Sequence, residues 1–84
     1  MYYVYVLYSE VNDTIYIGFT SDLQGRIEAH NHPKNKGWTN RYQPWELVYS
    51  EPFTSKAEAM KREKELKSYQ GRNFIRHRVL PNHR

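Results

Sequence analysis

The chain contains no cysteine. This absence excludes a disulfide framework, a thiolate metal site and a cysteine nucleophile. No run of apolar residues approaches the roughly 20 that a membrane-spanning helix needs. The N-terminus carries tyrosines, not a basic segment that leads into an apolar one, so it does not resemble a signal peptide. We therefore expect a protein that does not enter a membrane and that stays in the cytoplasm.

The length of the chain limits how many domains it can form. Eighty-four residues make one small domain, which we expect to span residues 1–84. A chain of this size buries only a modest fraction of its surface on folding. The core must therefore be compact, and no separate recognition domain is expected.

Positive charge is concentrated in the last third of the chain. Residues 1–53 hold four Lys/Arg against six Asp/Glu, whereas residues 54–84 hold nine against three. A basic region suits a polyanion, because each neutralised phosphate releases condensed counterions. Many small basic proteins bind nothing in particular, so charge alone leaves both interpretations open. The residues expected to contact nucleic acid are Lys34, Lys36, Arg41, Lys61, Lys64, Lys67, Arg72, Arg76 and Arg78.

Two short strands rich in tyrosine are predicted near the N-terminus. Residues 2–8 are continuously apolar and aromatic, and residues 14–19 follow after a turn-rich stretch. Side chains alternate along a strand, so Tyr16 and Gly18 share one face of the second strand. Pairing of the strands would bring Tyr5 close to Tyr16, beside a glycine that leaves room for another chain.

The remaining pattern predicts one more strand and three helices. Ser55, with Glu58 three residues later, forms a capping box at the start of the second helix. The order β-β-α-β-α-α implies an α+β fold with a small, mainly antiparallel three-stranded sheet covered by helices. The expected elements are a helix from the caps at 20–22 to about 31, a loop at 32–45, a strand at 45–49, a helix from 55 to 68 or 69 that ends near Gly71, and a short helix at 73–78.

The second helix carries a carboxylate on its apolar side. Ala59, Met60, Leu66 and Tyr69 lie at helical spacing and predict a buried stripe, and Glu63 lies on that stripe. A carboxylate that faces the core is costly unless it is paired or bound to a metal. A Glu63 at the edge of the stripe, paired with a lysine or arginine, is the alternative.

The first helix shows a similar arrangement. Leu23 and Ile27 define its apolar side, and Arg26 and His30 flank that side, four residues apart. An arginine at this position could hold a phosphate through two parallel hydrogen bonds. The alternative is that Arg26 reaches out to solvent and that His30 makes a surface hydrogen bond. The two tyrosines, the arginine, the histidine and the glutamate are expected to face one side of the sheet.

Taken together, these residues resemble the GIY-YIG endonuclease superfamily. Tyr3-Val4-Tyr5 and Tyr16-Ile17-Gly18 match the two strand triplets of that family, although the first triplet departs at its first two positions. Arg26 matches the catalytic arginine of the first helix, and Glu63 matches the metal-binding glutamate of the later helix. His30 matches a position where many members have histidine or tyrosine. The resemblance covers nearly the whole chain and extends to small stand-alone bacterial members and to the N-terminal nuclease domain of the excinuclease.

This resemblance implies a metal-dependent endonuclease that hydrolyses phosphodiester bonds of DNA, with RNA as an alternative substrate. It would select the structure of the DNA more than its sequence, and DNA repair or recombination would be its role. The implied catalytic residues are Tyr5, Tyr16, Arg26, His30 and Glu63. Glu63 would hold one divalent ion, Mg²⁺ or alternatively Mn²⁺. Tyr5 would take a proton from the attacking water, and Arg26 or the metal would lower the pKa of Tyr5 for that task.

Two other interpretations remain open at this point. One is a nucleic-acid-binding module that keeps the nuclease fold without catalysis. The other is a basic domain that docks on a larger protein through the exposed aromatic residues Trp38, Tyr42 and Trp45. The sequence leaves the oligomeric state open, a monomer included.

Overall fold

The fold consists of three strands and a set of short helices. A computed structural model describes residues 1–83, and none of the helices in that part of the chain has the length and hydropathy needed to cross a membrane. The predicted α+β class and the order β-β-α-β-α-α are confirmed. The elements are β1 (Tyr2–Ser9), β2 (Thr14–Thr20), α1 (Leu23–Asn31), a 3₁₀ helix (Trp38–Tyr42), β3 (Glu46–Phe53), α2 (Lys56–Lys67), α3 (Tyr69–Phe74), a π-helical stretch (Ile75–Val79) and α4 (Leu80–His83).

The three strands form one antiparallel sheet in the order β2-β1-β3. The first strand lies in the centre, which explains why residues 2–8 are apolar without interruption: both faces of β1 are covered. The third strand runs to Phe53, four residues beyond the predicted end at 49. Pro52 suggests the end of a strand, but β3 is an edge strand, where a residue without an N–H is tolerated.

The two faces of the sheet are packed differently. One face, which we call the helical face, packs against α2 and the C-terminal helices through Val4, Val6, Tyr8, Ile15, Ile17, Ala59, Leu66, Ile75, Val79 and Leu80. The other face, which we call the tyrosine face, carries Tyr5, Leu7 and Trp45. Tyr16 of β2 and the α1 residues Leu23 and Ile27 pack against them. The predicted alternation along β2 is confirmed, because Ile15 and Ile17 lie on the helical face while Tyr16 lies on the tyrosine face.

Of the four residues predicted to form the buried stripe of α2, two are buried and two are exposed. Ala59 and Leu66 are buried, but Met60 is 49% exposed and Tyr69 is 71% exposed. The helix ends at Lys67, so Tyr69 begins a new helix instead of continuing the stripe. Ala59 and Leu66 are two helical turns apart and form a narrow buried stripe. Met60 lies beside this stripe and faces solvent.

The break between α2 and α3 is made by Ser68 and Gly71. Ser68 has an extended conformation; its hydroxyl donates to the carbonyl of Glu65 and accepts from the N–H of Gly71. The prediction that Gly71 ends the long helix is wrong, because Gly71 lies inside α3. A Cβ at Gly71 would collide with the backbone of Glu65 and Leu66, so the glycine allows α3 to pack directly on the end of α2.

The turn between β1 and β2 is tied to the C-terminal helices. The Arg76 guanidinium donates to the Asp13 carboxylate over 2.9 Å and also to the Asp13 carbonyl. The Tyr8 hydroxyl donates to the same carboxylate over 2.9 Å. Asp13 adopts φ 49°, a left-handed conformation that aspartate tolerates better than most residues. These contacts lie on the helical face, away from Tyr5.

Candidate active site

A buried hydrogen bond joins the first strand to the first helix on the tyrosine face. Tyr5 is 1% exposed, and its hydroxyl lies 3.2 Å from Nε2 of His30. His30, in the last turn of α1, is 8% exposed, and its Nδ1 lies 3.2 Å from Oγ1 of Thr39. Thr39 also accepts a hydrogen bond from the side-chain amide of Asn35 over 2.7 Å. The alternative in which His30 bonds at the surface is therefore wrong.

The segment that holds His30 in place is the one predicted only as a loop. Asn31 exchanges two hydrogen bonds with the backbone of Trp45, at 2.6 Å and 2.9 Å. The Trp45 indole donates to the carbonyl of Thr39, and the side-chain amide of Gln43 donates to the carbonyl of His30. Asn35 and Thr39 were not among the predicted site residues. The only available signal was the density of short polar residues after α1, which usually marks a loop.

Gly18 makes the position of Tyr5 possible. The two residues are paired across β1 and β2. A Cβ at Gly18 would lie 2.8 Å from Oη of Tyr5 and 3.0 Å from Cε1 of Tyr16. The glycine was expected to leave room for another chain, but it leaves room for the Tyr5 ring of its own chain.

A shallow cleft of about 240 Å³ lies above the buried Tyr5 and His30 side chains. Its wall includes Tyr16 of β2, Arg26 and His30 of α1, and Trp38 of the 3₁₀ helix. The Tyr16 ring lies 4.5 Å from the His30 ring and 6.1 Å from the Tyr5 ring, measured between centroids. Tyr5 lies beneath the cleft, whereas Tyr16 forms part of its surface.

Arg26 is exposed at the edge of this cleft. Within residues 1–83 its guanidinium makes no hydrogen bond and no ion pair. Its charge nevertheless reaches the buried pair, because it lowers the pKa of both Tyr5 and His30. The arrangement leaves a cation free to bind an anion next to Tyr16 and His30.

The electrostatics of the buried pair favour neutral side chains. Burial raises the pKa of Tyr5 well above its ordinary value of 10.0; Tyr16 raises it further, and the opposing effect of Arg26 does not compensate. Burial lowers the pKa of His30 below 6.5, and Arg26 adds to that effect. Arg26 does lower the pKa of Tyr5, but burial outweighs this effect, and the alternative in which a metal ion lowers it stays a prediction.

Glu63 does not line the cleft. It belongs to α2, which packs on the helical face, so the expectation that all five residues share one face does not hold for Glu63. Its negative charge still acts on Tyr5 and contributes to the raised pKa. The Glu63 side chain is 21% exposed and forms an ion pair with the Lys67 ammonium over 3.7 Å, too long for a hydrogen bond. The alternative in which Glu63 is paired with a lysine is therefore present in this structure.

Glu63 is the carboxylate that the sequence predicts as a metal ligand. Among residues 1–83 no three His, Asp or Glu side chains come together in a cluster that could hold a metal. Glu63 accepts no hydrogen bond from any described residue, so its oxygens keep their capacity to bind a cation. Magnesium commonly uses one or two carboxylates and keeps several waters. The donor chemistry at Glu63 therefore fits that ion.

The basic side chains divide between the two faces. Lys34, Lys36 and Arg41 are exposed on the segment that includes the cleft wall. Arg76 is bound to Asp13, and Arg78 lines a groove with Tyr49 and Phe74 on the helical face. The others are exposed on α2 and α3: Lys61, Lys64, Lys67 and Arg72. The structure does not bring Arg76 and Arg78 to the cleft.

The expected patch of exposed aromatic residues is only partly present. Trp45 is buried and Tyr42 is half-buried, whereas Trp38 is 53% exposed. The prediction that all three form an exposed contact surface is wrong, because Trp45 packs beneath the 3₁₀ helix and donates a hydrogen bond to Thr39.

Comparison with known proteins identifies the family of this domain. The family model of the GIY-YIG catalytic domain matches residues 1–75, which include all five candidate residues. The chain belongs to the GIY-YIG family. It is 41% identical to a UPF0213 protein of Staphylococcus haemolyticus over 68 residues, which cover 81% of this chain and 82% of that protein. It is 42% identical to a UPF0213 protein of Natronomonas pharaonis over 67 residues, which cover 80% of this chain and 78% of that protein.

A solved structure gives the same result for the fold. The solution NMR structure of a UPF0213 protein from Bacillus halodurans has a TM-score of 0.58 and 32% identity to this chain. The match covers 99% of this chain and 92% of that protein. The sheet and helices described above are thus those of a small GIY-YIG protein. GIY-YIG domains form a nuclease family, which makes nucleic acid the expected class of substrate.

Proposed function

We propose that the chain is a metal-dependent endonuclease that hydrolyses phosphodiester bonds in DNA, and that it selects the structure of the DNA more than its sequence. The observation that carries the proposal is the hydrogen bond between Tyr5 and His30 beneath a cleft that holds the unpaired Arg26. A proton acceptor and a phosphate-binding cation lie together there, as phosphodiester hydrolysis requires. A role in DNA repair or recombination would suit an enzyme of this kind, and RNA is the alternative substrate.

The first step of the proposed reaction is transfer of a proton from water through Tyr5 to His30. Tyr5 is a neutral phenol at neutral pH, because burial raises its pKa. It can therefore accept the proton of the attacking water only while it gives its own proton to Nε2 of His30. The pKa of His30 is lowered, so the ring is uncharged at neutral pH. An uncharged ring has one nitrogen without a proton, and that nitrogen can accept the proton from Tyr5. The required tautomer carries its proton on Nδ1, which would donate to Thr39.

The same step breaks one bond and forms another. The water oxygen forms a bond to phosphorus as the bond between phosphorus and the leaving O3′ breaks. Because Tyr5 is 1% exposed, the attacking water would have to reach its hydroxyl from the cleft, next to the Tyr16 ring that lies 6.1 Å from the Tyr5 ring. Tyr16 would position that water or a phosphate oxygen.

Arg26 is the group that would bind the scissile phosphate. Its guanidinium has no competing partner among residues 1–83 and can form two parallel hydrogen bonds with phosphate oxygens. Such donors stabilise the additional charge that develops on phosphate in the transition state. Lys34, Lys36 and Arg41 would hold the flanking phosphates without reading the sequence.

Glu63 would hold the divalent ion. Its half-buried carboxylate accepts no hydrogen bond from residues 1–83 and pairs with the Lys67 ammonium over 3.7 Å, a partly exposed contact that a divalent ion could replace. A magnesium ion bound there would stabilise negative charge on the phosphate and on the leaving oxygen. Because residues 1–83 contain no cluster of three or more His, Asp or Glu side chains, a single ion is proposed instead of a pair.

The test compares Glu63→Gln with wild type on supercoiled, single-stranded and branched DNA in Mg²⁺ or Mn²⁺. Glu58→Gln is the matched control, because Glu58 is an exposed carboxylate on the same helix. We expect cleavage by wild type and by Glu58→Gln, and loss of cleavage in Glu63→Gln. Equal cleavage by all three proteins would refute the metal role of Glu63. Tight binding by wild type without any cleavage would instead favour a binding module that has kept the nuclease fold.

A further inference from the structure

Trp38 is an exposed tryptophan that has no role in the proposed hydrolysis. It begins the 3₁₀ helix, is 53% exposed and lines the same cleft as Arg26 and His30. Ligand pockets are commonly lined by aromatic side chains with a few charged or polar groups placed among them. Its position beside the proposed phosphate site therefore calls for an explanation.

The indole of Trp38 contacts three aromatic rings, none of them parallel to it. Its ring makes T-shaped contacts with Tyr42 at 5.6 Å and with Trp45 at 6.1 Å, and a tilted contact with Tyr16 at 5.7 Å. Among residues 1–83 no aromatic ring lies parallel to the indole, so no ring in the described chain covers its face by stacking. An aromatic side chain fixed in this way loses little conformational entropy when a flat ligand stacks on it.

The surroundings of Trp38 are basic. Between Glu28 and Glu46 the chain has no acidic residue, while Lys34, Lys36 and Arg41 are all exposed there. Aromatic side chains interleaved with lysines and arginines are the usual surface for a single strand, in which bases stack and phosphates are neutralised. A base-paired duplex hides the faces of its bases and cannot use such a platform.

We propose that Trp38 stacks on an unpaired nucleobase next to the phosphate bound by Arg26. This inference deepens the proposed nuclease function and rests on it for the identity of the bound phosphate. It names the substrate class as nucleic acid with a single-stranded segment at the cleft, such as a flap, a loop or a frayed end. Trp38 is then a positioning residue that selects the substrate, distinct from the residues that move the proton.

The experiment measures binding without cleavage. A fluorescently labelled ten-nucleotide oligothymidylate is titrated in EDTA with wild type, Trp38→Ala, Trp38→Phe and Tyr69→Ala. Tyr69 is the matched control, because it is an aromatic side chain that is 71% exposed on α3 and does not line the cleft. A second oligonucleotide carries the same phosphates but has abasic sites in place of the bases.

Stacking on one base is worth roughly 5- to 100-fold in affinity. We expect Trp38→Ala to lose that factor for oligothymidylate and to bind the abasic oligonucleotide as wild type does. Trp38→Phe should keep most of the affinity, and Tyr69→Ala should keep all of it. Unchanged binding of oligothymidylate by Trp38→Ala would overturn the inference. So would an equal loss for both oligonucleotides, because that result means a structural or phosphate-binding role.

Intrinsic fluorescence supplies a second measurement that does not depend on the alanine variant. Oligothymidylate should quench the tryptophan emission of wild type, and the abasic oligonucleotide should not. In Trp38→Phe only the buried Trp45 remains, so the quenching should disappear. Persistent quenching in that variant would contradict the inference. Base-dependent binding by a chain that never cleaves would refute the nuclease proposal alone.

Discussion

The hydroxyl of Tyr5 lies 3.2 Å from Nε2 of His30, although the two residues are 25 positions apart in the chain. The bond links the central strand to the end of the first helix beneath the cleft. Thr39 contacts the other ring nitrogen, so both nitrogens of His30 have partners. This pair is the basis of the proposed proton path and of the predictions that concern pH.

The rate of cleavage should depend on the protonation state of His30. His30 can accept a proton only when it is neutral, and its pKa lies below 6.5 because burial and Arg26 disfavour the charged form. We expect the rate to stay constant as pH falls to 6.5 and to decrease at lower pH. Loss of a positioned acid–base group typically costs about 10²- to 10⁴-fold, so His30→Gln should lose that factor and the acid limb. A wild-type acid limb that is retained in His30→Gln would contradict the assignment.

The stability of the fold should also respond to His30. Its folded-state pKa is below 6.5, so the unfolded chain binds more protons as the pH falls through 6.5. The free energy of unfolding should therefore decrease from pH 6.5 down to the folded-state pKa and should not depend on this group above pH 6.5. Urea unfolding of wild type, His30→Gln and the exposed control His32→Gln should show a shallower pH dependence in His30→Gln alone.

Gly18→Ala should damage the site more than the fold. The added Cβ would meet Oη of Tyr5 at 2.8 Å and Cε1 of Tyr16 at 3.0 Å, so the Tyr5 ring must shift away from His30. Overpacking of this kind costs about 1–3 kcal/mol. We expect a folded protein by circular dichroism whose cleavage rate is lower by at least about tenfold, since a small misplacement of catalytic groups is costly. Wild-type activity in Gly18→Ala would show that the exact position of the Tyr5 hydroxyl is unimportant.

Gly71→Ala should reduce stability through the contact between α2 and α3. The new Cβ would collide with the backbone of Glu65 and Leu66, which cannot move aside as a flexible side chain can. We expect a loss of about 1–3 kcal/mol in the free energy of unfolding, measured by urea denaturation. Gly37→Ala is the control, because Gly37 is exposed, has φ −76° and has only side-chain atoms near the new Cβ. Equal stability of both variants and wild type would contradict the packing account.

Local patterns in the sequence predicted most of the fold. Strand alternation, the capping box at Ser55 and the cap at Asp22 depend on neighbours in the chain, and the structure contains the corresponding contacts, Glu58 N–H to Ser55 and Gly25 N–H to Asp22. The end of the second helix was predicted at 68 or 69, close to the observed end at Lys67, but the start of α3 at Tyr69 was missed because it depends on how closely α3 packs on α2. The helical spacing of the apolar residues continues past Ser68 to Tyr69, so the sequence pattern does not reveal the break there.

The site was harder to predict than the fold. The five candidate residues could be named from motif spacing, but not their surroundings. That Glu63 comes from the helix on the opposite face follows from the packing of α2 through Ala59 and Leu66. The contact between Thr39 and His30 depends on the segment after α1 folding back, which no periodicity encodes. Burial, which raises the pKa of Tyr5, is likewise a property of the assembled core.

The most direct test of the central claim is cleavage of DNA by Tyr5→Phe in Mg²⁺. This change removes only the hydroxyl that contacts His30, and Tyr3→Phe is the matched control on the same strand. We predict that Tyr5→Phe stays folded and cleaves about 10²- to 10⁴-fold more slowly than wild type, whereas Tyr3→Phe cleaves at the wild-type rate. Cleavage by Tyr5→Phe at the wild-type rate would contradict the account.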